Sequence, residues 1–217
     1  MLLRLAKREP SALLLGAQLL GVLVYPFMEG SVGRALFSVF GIAVLGLVLL
    51  AVRRSPAWTG FGLVLAVPAT VLLLVQVVTG DEALLPYSSA LEAILYFYAA
   101  GALIAYMVED HVITRDEMWA VGATFTLVAW AFAYSYQVVQ AIEPGSFTAA
   151  NDPEGQRSWM ELLFLSFTTL TSTGLSDVVP VKAFARSLSM IQQLAGLAYV
   201  AVLVSRLVAL TVIRARV

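Results

Sequence analysis

Apolar residues in this chain gather into long uninterrupted runs rather than amphipathic stripes. Six runs stand out, approximately Ser11–Met28, Arg34–Val52, Trp58–Val78, Leu84–Val108, Glu117–Ile142 and Val181–Ile213. Runs of about 20 residues that are apolar on every side suit helices crossing a bilayer. Short punctuation separates them: Glu29-Gly30-Ser31, Arg53-Arg54-Ser55-Pro56, Thr79-Gly80-Asp81-Glu82 and Glu109–Asp116. Gly, Pro and charge mark where backbone can leave the apolar phase. The stretch between the fifth and sixth runs differs. Glu143–Arg157 is polar, whereas Ser158–Thr171 is apolar and helix-friendly but far too short to span. The pattern predicts an all-α membrane protein with six transmembrane helices and one re-entrant half-helix.

Composition narrows the class. Of 217 residues, 60% are hydrophobic and 12% charged, roughly half the charged share of a soluble domain. Cysteine is absent and His111 is the single histidine, which excludes a disulfide framework, a thiolate nucleophile and a histidine-built metal cluster. The spans hold no paired aspartates, no Ser–Lys dyad and no histidine–metal set, so an enzyme is not expected. Net charge is −1, with no basic tail for nucleic acid. Arg4, Lys7 and Arg8 precede the first run as in a signal peptide, but no small-residue cleavage site follows Met28. A retained first helix is expected.

Orientation follows from Lys and Arg placement. With the N-terminus inside, eight basic residues (Arg4, Lys7, Arg8, Arg53, Arg54, Arg115, Arg214, Arg216) lie inside and four (Arg34, Arg157, Lys182, Arg186) outside. Both termini are therefore expected in the cytoplasm of a multi-pass cell-membrane protein. Trp58, Trp119 and Trp159 near run ends read as interfacial anchors, and Trp130, mid-run, as a packed residue.

Non-helical backbone at membrane depth is tolerated only where protein buries it or where it lines a watery path. That constraint singles out residues 158–180. A half-helix from about Ser158 to Leu170 would aim the negative end of its dipole at the membrane middle, which favours a cation. After it, Ser172-Thr173-Gly174-Leu175-Ser176 offers successive carbonyls and hydroxyls. Four copies around an axis would form oxygen rings able to replace an ion's hydration shell. A homotetramer is expected.

Thr168-Thr169-Leu170-Thr171-Ser172-Thr173-Gly174-Leu175-Ser176-Asp177-Val178-Val179-Pro180-Val181 resembles the pore loop of the tetrameric potassium channel superfamily, which reads T-x-T-T-V-G-Y-G-D-x-x-P-V. Thr169, Thr171, Gly174, Asp177, Pro180 and Val181 match in register, Arg186 falls where many members carry arginine, and Gly196 where they keep a hinge glycine. The resemblance covers roughly Glu117–Val217. It implies a peripheral four-helix domain over residues 1–112, placed like a voltage sensor, and a pore domain over residues 113–217. It also implies monovalent cations, K⁺ or Na⁺, in the filter and no other cofactor. The filter T-V-G-Y-G stands as Ser172–Ser176, so a second glycine is replaced by Ser176 and the filter tyrosine by Leu175. The aromatic pair that braces many filters is reduced to Phe164 beside Leu165. A left-handed conformation at Ser176 would cost about 1–2 kcal/mol. The single glycine also resembles the loops of Trk/Ktr-type potassium transporters, which select K⁺ with one glycine per loop, although those carry four loops in one chain. A channel with weak or moderate K⁺ preference is implied; a non-selective or Na⁺-permeable channel and a nonconducting pore-loop protein are the alternatives.

The remaining polar residues carry open assignments. Thr171 supports the filter, and Asp177 either caps it or attracts cations at the mouth. Gln192 and Gln193 are polar in mid-helix, and such groups usually face a cavity or a partner; at least one is expected to line a cavity below the filter, near Ser189 and Gly196. Gly196 serves as hinge or as close-packing site. Glu92, an intramembrane carboxylate, is a functional candidate or a residue bonded to Tyr87 or Tyr134. His111 is a neutral-pH titrator or a solvated bystander. With the sixth run ending near Ile213, no cytoplasmic sensing domain is expected after it.

Two recordings test this reading. The fourth run contains no arginine, and a field does only about 2.3 kcal/mol of work per charge per 100 mV. Open probability in a planar bilayer should therefore change little with voltage; steep sigmoidal activation would contradict this. A ring of four Arg206 guanidiniums would repel cations, so Arg206 is expected to turn away and pair with Glu109, Asp110, Asp116 or Glu117, coupling that linker to the inner gate. Reversing its charge should alter gating, and unchanged open times would remove the coupling.

Overall fold

The structure, a computed structural model, describes residues 9–25, 30–53, 55, 57–80, 82–109 and 114–214, with backbone alone at 30–39, 82, 204 and 207–214. Arg4, Lys7, Arg8, Met28, Glu29, Arg54, Asp81, Asp110, His111 and Arg216 lie outside the described residues. The elements in order are α1 (Pro10–Val24), α2 (Gly30–Val52), α3 (Thr59–Thr79), a 3₁₀ turn (Glu82–Leu84), α4 (Leu85–Val108), α5 (Arg115–Ile142), β1 (Phe147–Ala149), α6 (Trp159–Leu170), β2 (Val178–Pro180) and α7 (Ala183–Arg214).

Each apolar run is largely helical over its described residues. Proline opens α1 and α4 in the first turn, where a missing N–H costs nothing. Gly80 closes α3 at φ +66°, donating its N–H to Gln76 O at 2.9 Å. Among the described residues, α3, α4 and α5 are long and apolar enough to cross a membrane; α1, α6 and the Phe40–Val52 part of α2 are shorter apolar helices.

The chain forms two compact units, Met1–Tyr134 and Ser135–Val217. The division falls within α5.

In the first unit, α2 packs on α1, α3 on α2, and α4 on both α2 and α3. The first part of α5 closes on α1 and α4. A Cβ on Gly122 would lie 2.8 Å from Leu15 Cδ2, and one on Gly21 would lie 3.3 Å from Trp130 Cη2. Buried alanines (Ala99 and Ala102 on α4, Ala120 and Ala123 on α5) allow this approach, because association between apolar helices rests on close packing. Hydrogen bonds between helices add to it. Asp116 accepts from Ser11 N at 3.0 Å and from Ser11 Oγ at 3.1 Å, so a side chain of α5 caps the first turn of α1. Gln76 Nε2 donates to Ser88 Oγ at 2.9 Å. Trp58 and Trp119 are exposed and Trp130 is buried, as expected. Trp159, the first residue of α6, is also buried.

In the second unit, α6 lies on α7, and β2 touches both. The strands β1 and β2 pair antiparallel with Phe147 opposite Pro180, Thr148 opposite Val179 and Ala149 opposite Val178. This ladder amends the all-α expectation. Three residues are too few to show an alternating pattern, and the two strands meet only because α6 returns the chain to its starting level.

Candidate functional site

The site is built upward from α6. Ser158 is its N-cap: Ser158 Oγ accepts from Glu161 N at 3.3 Å, and Glu161 Oε2 accepts from Ser158 N at 2.7 Å. This reciprocal capping box satisfies two orphan donors. Arg157, buried beside it, forms ion pairs with Glu161 at 3.1 Å and Asp152 at 3.6 Å, and donates to Asp152 O and Gly155 O, each at 2.6 Å. Gln140, near the end of α5, brackets the backbone of Arg157, accepting from its N at 2.8 Å and donating to its O at 3.0 Å. The start of α6 is thereby held from both sides.

The end of α6 is a Schellman motif. Thr173 N donates to Thr168 O at 2.9 Å and Ser172 N donates to Thr169 O at 3.0 Å. The residue in the left-handed position is Ser172, at φ +57°. Gly174 follows at φ +66°, its N 3.2 Å from Thr168 O. The strain expected at Ser176 therefore sits at Ser172. Helix termination demands the left-handed residue directly after the cap, while Ser176 needs no positive φ and instead accepts from Val178 N at 3.1 Å. Thr171 Oγ1 donates to Phe167 O at 2.8 Å and lies 3.0 Å from Thr173 Oγ1.

Thr171, Ser172, Thr173, Gly174 and Leu175 are all exposed within the chain, as is Asp177, and Ser176 is half-buried. Downstream, Arg186 Nε donates to Pro180 O at 3.3 Å and Lys182 Nζ to Pro144 O at 2.7 Å, so the loop leaves through a fixed strand.

On α7, Ser189, Gln192 and Gly196 share one buried face. A Cβ on Gly196 would lie 2.0 Å from Leu170 O and 2.9 Å from Leu170 C, so α7 touches the last turn of α6 backbone to backbone. Residues 93–212, more than half of the chain, match the family model described as ion channel. This chain belongs to the ion channel family. Neither the curated proteins nor the solved structures hold a match to it.

Within this channel the glutamines separate. Gln193 is exposed, but Gln192 is wholly buried and corrects the cavity reading at that position. Its Nε2 donates to Ser166 O at 3.0 Å and Ser166 Oγ at 2.6 Å, and its Oε1 accepts from Tyr136 OH. A buried amide needs such partners. Arg206 is half-buried on α7. Glu92 is buried on α4 and hydrogen-bonded to Tyr134, while Tyr87 is exposed.

Sequence reasoning missed Tyr136, Gln140, Arg157 and Ser166 as supports of the site. The motif Ser158-x-x-Glu161 ahead of an apolar run was a readable capping signal. The i,i+4 spacing of Arg157 and Glu161 was a second one, whereas nothing local marked Tyr136, Gln140 and Ser166, whose partners lie on other elements.

Gly196→Ala should be costly, because backbone rather than a flexible side chain fills the space a Cβ needs. We expect a loss of roughly 1–3 kcal/mol, read as a lower melting temperature of the purified channel; wild-type melting would show that the α6–α7 contact is loose.

Proposed function

We propose that four copies of this chain, each crossing the membrane six times with both termini in the cytoplasm, surround a central pore for monovalent cations. The carrying observation is the exposure of the five residues Thr171–Leu175 between two anchored ends. Polar backbone at membrane depth requires water or protein around it, and a single chain leaves these residues uncovered. Ser172, Thr173, Gly174, Leu175 and Ser176 supply the oxygens that face the ion, the left-handed Gly174 giving the freedom an inward-facing carbonyl needs. Asp177, exposed at the end of the loop, adds negative charge at the outer mouth. Exposed apolar side chains of α7, including Met190, Ile191, Leu194 and Leu197, suit contact with neighbouring copies, and Gln193 beside them suits the cavity wall.

The preference for K⁺ over Na⁺ is weak to moderate. The inner half of the loop is tied to α6 by three backbone hydrogen bonds, from Ser172, Thr173 and Gly174. The outer half has only the Ser176–Val178 bond, and Leu175 is 78% exposed. A looser outer half keeps ions more hydrated and discriminates less.

Purified protein in liposomes should carry K⁺ down a gradient faster than Na⁺. Absence of flux in either gradient would overturn conduction, and equal rates would make the channel non-selective. Gly174→Ala should reduce flux about tenfold, matching the cost of about 1–2 kcal/mol for a Cβ in the left-handed region; unaltered flux would remove Gly174 from the filter.

A further inference from the structure

The exposed residues of the loop hold few bonds of their own. Ser172, Thr173 and Gly174 hydrogen-bond back to Thr168 and Thr169 of α6, and Ser176 bonds forward to Val178, the first residue of β2. Their position is inherited from the last turns of α6 and from β2, so whatever fixes these two elements fixes the loop.

A buried polar cluster does so. Gln192 of α7, Ser166 of α6 and Tyr136 of α5 are each wholly buried. Gln192 Nε2 donates twice to Ser166, to its O at 3.0 Å and its Oγ at 2.6 Å. The Tyr136 hydroxyl donates to Gln192 Oε1 and lies 3.2 Å from Ser189 Oγ, which itself donates to Ala185 O at 2.9 Å. The Tyr136 ring meets the Phe147 ring edge-on at 5.2 Å, and Phe147 is paired with Pro180 of β2. One tyrosine thus reaches both ends of the loop, Ser166 before it through Gln192 and Pro180 after it through Phe147. Every polar atom of the Gln192 amide has a partner, and a fully satisfied polar network in a low-dielectric interior is rigid and specific in register.

We propose that Gln192, oriented by Tyr136, is the positioning residue that holds the ion-facing oxygens of the loop at a fixed spacing and so sets how well this channel tells K⁺ from Na⁺. This rests on the filter reading above. Discrimination between two ions of like charge depends on the number and placement of coordinating oxygens. A side chain that pins α6 five residues before Thr171 acts on that placement without touching an ion. The one carbonyl of α6 to which Gln192 donates belongs to Ser166, one turn upstream of Leu170, where Gly196 makes the backbone contact. The two contacts fix both the depth and the rotation of α6.

The test uses the full-length protein in liposomes and planar bilayers, comparing wild type with Gln192→Met, Tyr136→Phe and the double variant. Methionine keeps the length of Gln192 and removes its hydrogen bonds; phenylalanine keeps the ring on Phe147 and removes the hydroxyl. Each single variant should lower the K⁺/Na⁺ permeability ratio at least threefold, with the gel-filtration profile unchanged. The double variant should fall no further than the lower single, as expected for residues acting as one unit. A role in stability alone would reduce the number of active channels and leave the ratio alone, and an unchanged ratio in folded variants overturns the proposal. If Gln192→Met fails to assemble, Tyr136→Phe carries the same comparison. If the wild type passes no ions, or both equally, the selective-filter reading fails separately, and amide hydrogen exchange decides the positioning role. Faster exchange over residues 163–178 in Gln192→Met, with residues 115–134 unchanged, supports it; equal exchange over 163–178 overturns it.

Discussion

Backbone N–H and C=O groups taken out of water must find partners, and the structure of this channel follows from that requirement. Helices meet it internally, which is why the long apolar runs can only be helices. The exception is the stretch after α6, where five consecutive residues stand exposed. The chain surrounds this exception with hydrogen bonds: a capping box and a buried arginine where α6 begins, a Schellman motif where it ends, and a strand pair where the loop leaves.

The two ends of α6 are secured differently, and the difference bears on function. At its start, Arg157 is buried with two carboxylates and two carbonyls around it, an arrangement in which losing one partner strands a charge. At its end, the carbonyls of Thr168 and Thr169 are occupied by N–H groups of the loop itself. Termination of the half-helix and the shape of the loop are therefore one event. Ser172 takes the left-handed position normally given to glycine, so a conformational cost is held at the inner end of the proposed filter.

The first unit solves a different problem with the same means. Apolar helices gain little from sorting apolar surface, so they associate through alanine and glycine contacts and a few buried polar bonds. Asp116 capping α1 and Glu92 meeting Tyr134 are such bonds. The buried carboxylates of this unit tie its helices together.

The mostly helical character and the place of the half-helix were legible in the chain because each depends on neighbours in sequence: apolar length, a proline, a glycine, a charge. The loop after the half-helix stood out for the same reason, since Thr171, Gly174 and Asp177 keep a fixed spacing, and Gly174, lacking a Cβ, takes a positive φ without strain. Folding in three dimensions decided the rest. Gln192 and Gln193 are chemically identical neighbours, and only the rotation of α7 against α6 buries one and exposes the other. The left-handed strain sits at Ser172 rather than Ser176 because helix termination, not residue type, requires it. Gln140 and Tyr136 act through partners on other elements. The strands pair at all only because a half-helix brings the chain back. A one-dimensional pattern records what a residue is; which atoms complete its hydrogen bonds is set when separate segments meet.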